Sequence, residues 1–198
     1  MDENRNIWRK YYQNALTRPH CKRTEFVVQL NQSPCKVAID CGCGTGSDID
    51  FLSREGYQVY GFDVNPDSLA ICHDRFNQNP LIELSQSSFE EYDYPSAGVI
   101  VANSSLFFAD SHHFKNIWFR IESALQPGGV FAGDFLGVKD SWAENYRSPT
   151  SSFTETGVRE LFTNFNLVRF YERDELAPTS LGKMKHWHTF SVVAIKQR

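Results

Sequence analysis

Two acidic residues bracket a run of glycines in this chain, and their types and spacing suit the holding of a nucleotide cofactor. Val37, Ala38 and Ile39 read as a short buried strand that ends on Asp40, and Gly42, Gly44 and Gly46 follow in alternation. Glycines at that spacing permit a tight turn whose bare backbone approaches a ligand before a helix begins. A second apolar strand, Tyr57 to Phe62, delivers Asp63, where a carboxylate takes the hydroxyls of a ribose. Glycines also close ordinary strand-to-helix turns, so Asp63 is the element that makes the pattern specific. Asp40 then separates the cofactors. A nicotinamide fingerprint puts its third small residue at the position of Ser47 and has no need of a carboxylate at the end of the first strand, where it would repel a pyrophosphate. Positive charge on the cofactor is favoured there.

The elements that must position these groups alternate along the chain. Strand candidates at 37–39, 57–62, 97–102 and 130–135 are separated by helix candidates at 46–55, 66–77 and 114–125, the pattern of a parallel sheet with helices on both faces. Pro66 suits the first turn of its helix. Phe114, Ile117, Trp118, Ile121 and Leu125 fall along one helical face and read as core. Two helices at 7–16 and 20–31 precede this block, split by Arg18-Pro19. After residue 136 come a loop with Trp142, Tyr146 and Arg147, a helix at 154–164, and strands at 166–174 and 186–196. No helix separates those last strands, so within one sheet they pair antiparallel.

The chain has 198 residues and no Ser/Gly-rich linker, which fits one domain over 1–198. Its parts are an N-terminal helical segment (1–32), a cofactor-binding half (36–136) and a substrate-side loop, helix and hairpin (137–198). A net charge of −4, with no face that gathers lysine and arginine, argues against nucleic acid as a partner. No apolar run reaches the length that spans a bilayer, so no membrane partner is expected. Five cysteines without a signal peptide fit a reducing, cytoplasmic setting. Cys41 and Cys43 lack a companion cluster with ligand spacing, and no metal is expected.

S-adenosylmethionine carries an ammonium and a sulfonium and no phosphate, and the D-x-G-x-G-x-G of Asp40 to Gly46 resembles motif I of class I methyltransferases. Leu125-Gln-Pro-Gly-Gly129 with the strand Val130 to Phe135 resembles the helix end and fifth strand of that family, and Ala97 to Ala102 opening into Asn103-Ser104-Ser105 resembles its fourth. Base-modifying amino-methyltransferases carry Asn/Asp-Pro-Pro-aromatic at that point, which this chain lacks. With Phe135 to Trp142 and Lys185-His-Trp-His188 included, the chain is similar to small bacterial methyltransferases near the tellurite-resistance and thiopurine type. The resemblance implies an α/β three-layer Rossmann-like sandwich with a seven-stranded, mostly parallel sheet in the order 3-2-1-4-5-7-6, strand 7 antiparallel.

The same resemblance assigns residues. Asp40 and the backbone of Gly42, Cys43 and Gly44 approach the methionine part of the cofactor, Asp63 its ribose, and Val64 the adenine face. Many relatives hold the adenine amino group with an aspartate where this chain has Ser88, which brings no charge; Phe89 beside it either walls the pocket or belongs to the core. Asn103 and Ser104 stand where the family reaches both the cofactor's amino acid end and the nucleophile, or else form a polar turn. Trp8, Tyr11 and Tyr12 are candidates for a lid, with packing of the helix on the sheet as the alternative. An antiparallel last strand starts at the ligand end of the sheet, which places His186 and His188 on one face near the acceptor; the alternative is a structural pair. Tyr11, His186 and His188 are the candidates for a catalytic base, together with His112 at a helix start.

The expected activity is transfer of a methyl group from S-adenosylmethionine, leaving S-adenosylhomocysteine, to a small molecule with a soft or anionic nucleophile such as a thiol or chalcogen oxyanion. A monomer or weak homodimer is expected. A non-catalytic cofactor-binding module acting through a protein partner is the second reading, and a nicotinamide oxidoreductase the third.

Overall fold

The computed structural model describes residues 3–146 and 148–197; Arg147 lies outside them. Val37–Cys41 (β1), Gln58–Asp63 (β2) and Ile82–Gln86 (β3) pair in parallel, and Ala97–Ala102 (β4) joins β1 on its other side. All six residues of β4 are buried, as a central parallel strand covered on both faces requires. Leu125–Gly137 (β5) runs parallel to β4. Beyond it lie Met184–Lys196 (β8), antiparallel to β5, and Phe165–Pro178 (β7), antiparallel to β8 at the sheet edge. A two-residue strand, Ser152–Phe153 (β6), pairs with the end of β5. The order β3-β2-β1-β4-β5-β8-β7 is the expected one with this short strand added. β5 also begins five residues earlier than the apolar run suggests, taking in Pro127 and Gly128.

Helices cover the two faces. Lys22–Leu30 (α2), Ser47–Arg54 (α3) and Pro66–Phe76 (α4) contribute Val27, Ile49, Leu52, Leu69 and Cys72 to one core, which packs on Ala38, Val59, Val101 and Val193. Phe114–Ala124 (α5) and Glu155–Leu161 (α7) cover the opposite core, built on Ile39, Ile100, Phe131 and Phe190. The expected stripe of α5 is buried along its length. Local signals start these helices: the Asn65 side chain accepts from the Asp67 backbone N–H with Pro66 at the first turn, and Asp140 and Thr154 cap Ser141–Asn145 (α6) and α7. The N-terminal helix Glu3–Ala15 (α1) completes the set.

Because successive strand residues point to opposite faces, membership of these cores fixes what each strand presents at its carboxyl end. Asp40 follows the parity of Ala38, Asn103 that of Val101, Asp134 that of Ala132, and Ser191 and Trp187 that of Val193. All fall on the face covered by α2, α3 and α4. His186 and His188 share the parity of Phe190 and Val192 and fall on the other.

The His188 ring packs directly over Gly137, where an added Cβ would lie 2.0 Å from Nδ1. Gly137→Ala is therefore expected to cost about 1–3 kcal/mol or more, read as a lowered urea midpoint. Unchanged stability would show that β8 and the end of β5 do not meet this closely.

Candidate functional site

At the end of β1 the chain turns through Gly42, Gly44 and Gly46, all in the left-handed region at φ +69°, +54° and +78°. Gly42 has a second reason to be glycine, since a Cβ there would stand 2.6 Å from that of Ser105. Asp63, at the end of β2, ties the loop down: one carboxylate oxygen accepts from the Gly44 N–H at 3.0 Å and the other from the Asn65 N–H at 2.9 Å. Burial pushes the Asp63 carboxyl up, against the pull of those amides. Val64, which follows it, is 61% exposed and offers an apolar side chain beside the loop.

Asp40 is the electrostatic exception. It is 4% exposed, and no hydrogen-bond donor among the described residues reaches its carboxylate. Burial raises its pKa well above the usual range, and the neighbouring Asp48, Cys72 and Asp63 raise it further. The nearby carboxylates do have partners. Asp48 accepts from the Cys21 N–H at 2.9 Å and from the Asn103 amide at 2.9 Å. Asp134 takes both terminal nitrogens of Arg23, at 2.8 and 2.6 Å, with the Ser104 N–H at 2.8 Å and the Ser191 hydroxyl at 2.5 Å. Burial would push Asp134 up, but the Arg23 charge and these bonds hold it below its ordinary value. Arg23 also bonds the Asn103 side-chain oxygen, and Ser104 is held at φ +55°, the one described non-glycine residue in the left-handed region. Such strain persists where the surroundings over-determine it.

α1 lies across the loop. Tyr12 is 4% exposed, and its hydroxyl sits near Ser68, Asp63 and Cys43. Tyr11 meets Tyr12 edge-on, and burial together with the Asp63 charge raises its pKa, so its phenol stays protonated at neutral pH. Trp8 stacks on Tyr12 at 5.8 Å and meets Phe108 at 5.9 Å. Phe108 leads on to Trp142, and Trp142 to Trp187 of β8. Beneath the last two, the Lys185 ammonium pairs with the buried Asp140 carboxylate. Burial lowers the Lys185 pKa.

Of the expected site residues, Trp8, Tyr11, Tyr12, Asp40, Gly42, Cys43, Gly44, Asp63, Val64, Asn103 and Ser104 are brought around one region at the carboxyl end of the sheet. Others are not. His186 pairs with Asp174 at 2.7 Å, and His188, buried, pairs with Glu172 at 2.9 Å while its Nδ1 accepts from the Lys139 N–H at 3.1 Å. Strand alternation turns this pair away from the glycine loop, and in its place Lys185 and Trp187 face the site. Glu172, Asp174 and His188 hold ligand-type atoms within 4.8 Å of one another, but the Lys139 ammonium, 2.7 Å from Asp174, already supplies the positive charge there. Ser88 and Phe89, by contrast, stay beside the loop: the preceding Ser87 N–H donates to the Asp63 carbonyl at 3.2 Å, the Ser88 hydroxyl accepts from the Glu91 N–H, and Phe89, buried against Phe62, lies 3.8 Å from where a Gly42 Cβ would stand. His112 pairs with Asp110 at an exposed helix start. Sequence reasoning missed Arg23, Asp134, Asp140, Lys185 and Trp187. For Asp134 and Trp187 a signal existed in the alternation of β5 and β8; for Arg23, on a helix far away in sequence, none did.

Comparison with known proteins agrees with the fold. Residues 38–129 match the family described as a methyltransferase domain. The chain is 27% identical over 126 residues to the 18S rRNA (guanine(1575)-N(7))-methyltransferase of Saccharomyces cerevisiae, covering 59% of this chain and 46% of that protein. It spans about half or less of the curated relatives it matches. Among solved structures, TehB from Haemophilus influenzae superposes with a TM-score of 0.73 at 18% identity, covering 90% of this chain and 63% of that one. NodS, an N-methyltransferase from Bradyrhizobium japonicum in complex with S-adenosylhomocysteine, gives 0.67 at 13% identity, covering 89% and 87%.

A carboxyl with a raised folded pKa binds more protons folded than unfolded between its two values, so its contribution to stability falls as pH rises through that interval. Asp40→Asn is therefore expected to stabilise the ligand-free chain, by more at about pH 8 than at about pH 5, with roughly 2–4 °C of melting midpoint per kcal/mol. If Asp40 meets the cofactor ammonium as the resemblance implies, the same change is expected to weaken S-adenosylhomocysteine binding about tenfold or more, since a charge-assisted bond would be lost. Thermal melts with and without ligand read both effects; a destabilised variant with unchanged affinity would contradict the assignment.

Proposed function

We propose that this chain, a class I S-adenosylmethionine-dependent methyltransferase by its matched domain and fold, methylates a small-molecule acceptor through a soft or anionic nucleophile. The observation that carries the reading is the buried, unpartnered Asp40, a carboxylate whose surroundings call for a cation. The chain's residues fit the cofactor's parts in turn. Asp40 and the amides of the loop take the ammonium end, Asp63 the ribose hydroxyls, and Val64 one face of the adenine. When bound, the cofactor supplies a methyl group on a positively charged sulfur.

What remains for the protein is alignment. Trp8 and Tyr12 close over the loop from α1, and the Arg23–Asp134 pair fixes Asn103 and Ser104 at the end of β4. Holding the acceptor atom about 3 Å from the methyl carbon, in line with the breaking bond, yields effective molarities on the order of 10⁵ M or more. An acceptor held there would take the methyl carbon with its own lone pair as the S–C electron pair returned to sulfur, and an acceptor that still carried a proton would have to lose it to solvent. With Tyr11 held protonated and His186 and His188 turned away, no described side chain is placed as a strong base, which favours a nucleophile already ionised at working pH. The yeast relative acts on ribosomal RNA, which keeps an RNA acceptor as the second reading; the net charge of −4 weighs against it.

Labelled methyl transfer by the full chain to a thiol, an oxyanion, an amine and ribosomal RNA decides between these. Transfer to a thiol or oxyanion is expected, with Tyr12→Ala lowering kcat/KM about tenfold or more through loss of closure. Transfer to RNA alone would establish the second reading, and cofactor binding without transfer to any acceptor would favour a non-catalytic module.

A further inference from the structure

Among the described residues one side-chain polar atom fully shut off from solvent has no hydrogen-bond partner, the indole nitrogen of Trp187; the Asp40 carboxylate keeps a little exposure. Its ring belongs to a cluster assembled from four separate segments. The cluster begins where the cofactor loop ends, with Tyr12 beside Asp63 stacked on Trp8 at an interplanar angle of 23°. It continues through Phe108 to Tyr146 at 5.5 Å and Trp142 at 6.3 Å, and from Trp142 to Trp187 at 5.4 Å. Trp8, Phe108, Trp142, Tyr146 and Trp187 are all partly exposed, unlike core rings such as Phe62, Phe131 and Phe135.

Two of these rings are held in place by a buried charge pair. The Asp140 carboxylate accepts from the Trp142 N–H at 2.9 Å and the His188 N–H at 2.9 Å and pairs with Lys185. The ammonium lies 4.2 Å from the centroid of Trp142 and 4.1 Å from that of Trp187. A cation between two indoles fixes both, and the Arg173 guanidinium lies 4.9 Å from the Trp187 centroid; Asp140 and Glu175 pair with these two cations, so the site carries little net charge.

From this geometry we infer that the Trp8, Phe108, Trp142 and Trp187 cluster is the acceptor subsite, and that it takes a flat aromatic molecule with a hydrogen-bond acceptor on its edge, bound by the Trp187 N–H. The inference rests on the methyltransferase reading and names its substrate class. Ring contacts favour a planar π-system in offset or edge-on arrangement. An indole N–H left unpaired in a buried place is costly, and a ligand that supplies the missing acceptor recovers that cost, whereas one without it does not. A hydrated oxyanion would have to shed water against ring faces that repel anions, with the nearest ammonium already paired. The soft nucleophile is then carried on the aromatic ring.

Calorimetric titration of the full chain, saturated with S-adenosylhomocysteine, tests this with three probes. These are 2-mercaptobenzothiazole, a flat heteroaromatic thiol with a ring nitrogen; cyclohexanethiol, of comparable size without the π-system; and sodium selenite. The benzothiazole is expected to bind at least about tenfold more tightly than the other two. Trp187→Phe, which keeps a ring and deletes the N–H, is expected to weaken it about fivefold or more while leaving S-adenosylhomocysteine affinity and the melting midpoint unchanged. Should that variant fail to fold, Phe108→Leu reads the same subsite through loss of a ring. Equal affinity for the two thiols, preference for selenite, or no loss in the variants overturns the inference. A chain that binds S-adenosylhomocysteine and none of the probes also overturns it and leaves the methyltransferase reading standing. Failure to bind S-adenosylhomocysteine removes both.

Discussion

Side chains on a strand alternate between the two faces of a sheet, and the functional groups at the ligand end of this one follow from which face they fall on. β1, β4 and β5 run parallel and β8 runs against them, yet all four present polar or aromatic groups on the side covered by α2, α3 and α4. Asp40, Asn103, Asp134, Ser191 and Trp187 converge there because each continues the parity of a buried Val or Ala. The other face is closed by α5 and α7 over a core rich in phenylalanine, and the histidines of β8 that share its parity are drawn into pairing with Glu172 and Asp174 instead.

Electrostatics then divides the convergent carboxylates by partner. Asp134 is neutralised by Arg23, and Asp48 is satisfied by a backbone amide and by Asn103. Asp63 spends its oxygens on the loop it holds. Only Asp40 is buried without a donor among the described residues. Breaking the Arg23–Asp134 pair would leave a second buried charge uncompensated, a loss of about 3–5 kcal/mol, so the pair both fixes β4 against β5 and keeps the demand for a cation confined to one point. The aromatic side repeats this arrangement with Asp140 and Lys185, a closed charge pair that orders two indoles around an unpaired N–H.

Much of the fold was legible because its signals are local. The alternation of apolar strands with helical stripes specified a parallel sheet, the absence of a helix between the last two strands specified their antiparallel pairing, and Asp40, the glycines and Asp63 marked the loop at the carboxyl end of β1. The two-residue β6 carries too little pattern to read. The aromatic side was legible only in part, for two physical reasons. Alternation says that His186 and His188 share a face but not which face; that follows only when Val193 and Val192 are assigned to their cores. Arg23 reaches Asp134 across 111 residues of sequence, and Lys185 reaches Asp140 across 45, contacts that no periodicity announces. Trp8, Tyr12 and Trp142 were marked by their aromatic character alone, and the structure supplies the continuity between them.

The central claim is that Asp40 and Asp63 together accept a cofactor with an ammonium and a ribose and no pyrophosphate. Calorimetric titration of the full chain with S-adenosylhomocysteine and, separately, with NAD tests it most directly. The account predicts saturable, one-to-one binding of S-adenosylhomocysteine and no binding of NAD. Binding of NAD with none of S-adenosylhomocysteine would contradict it.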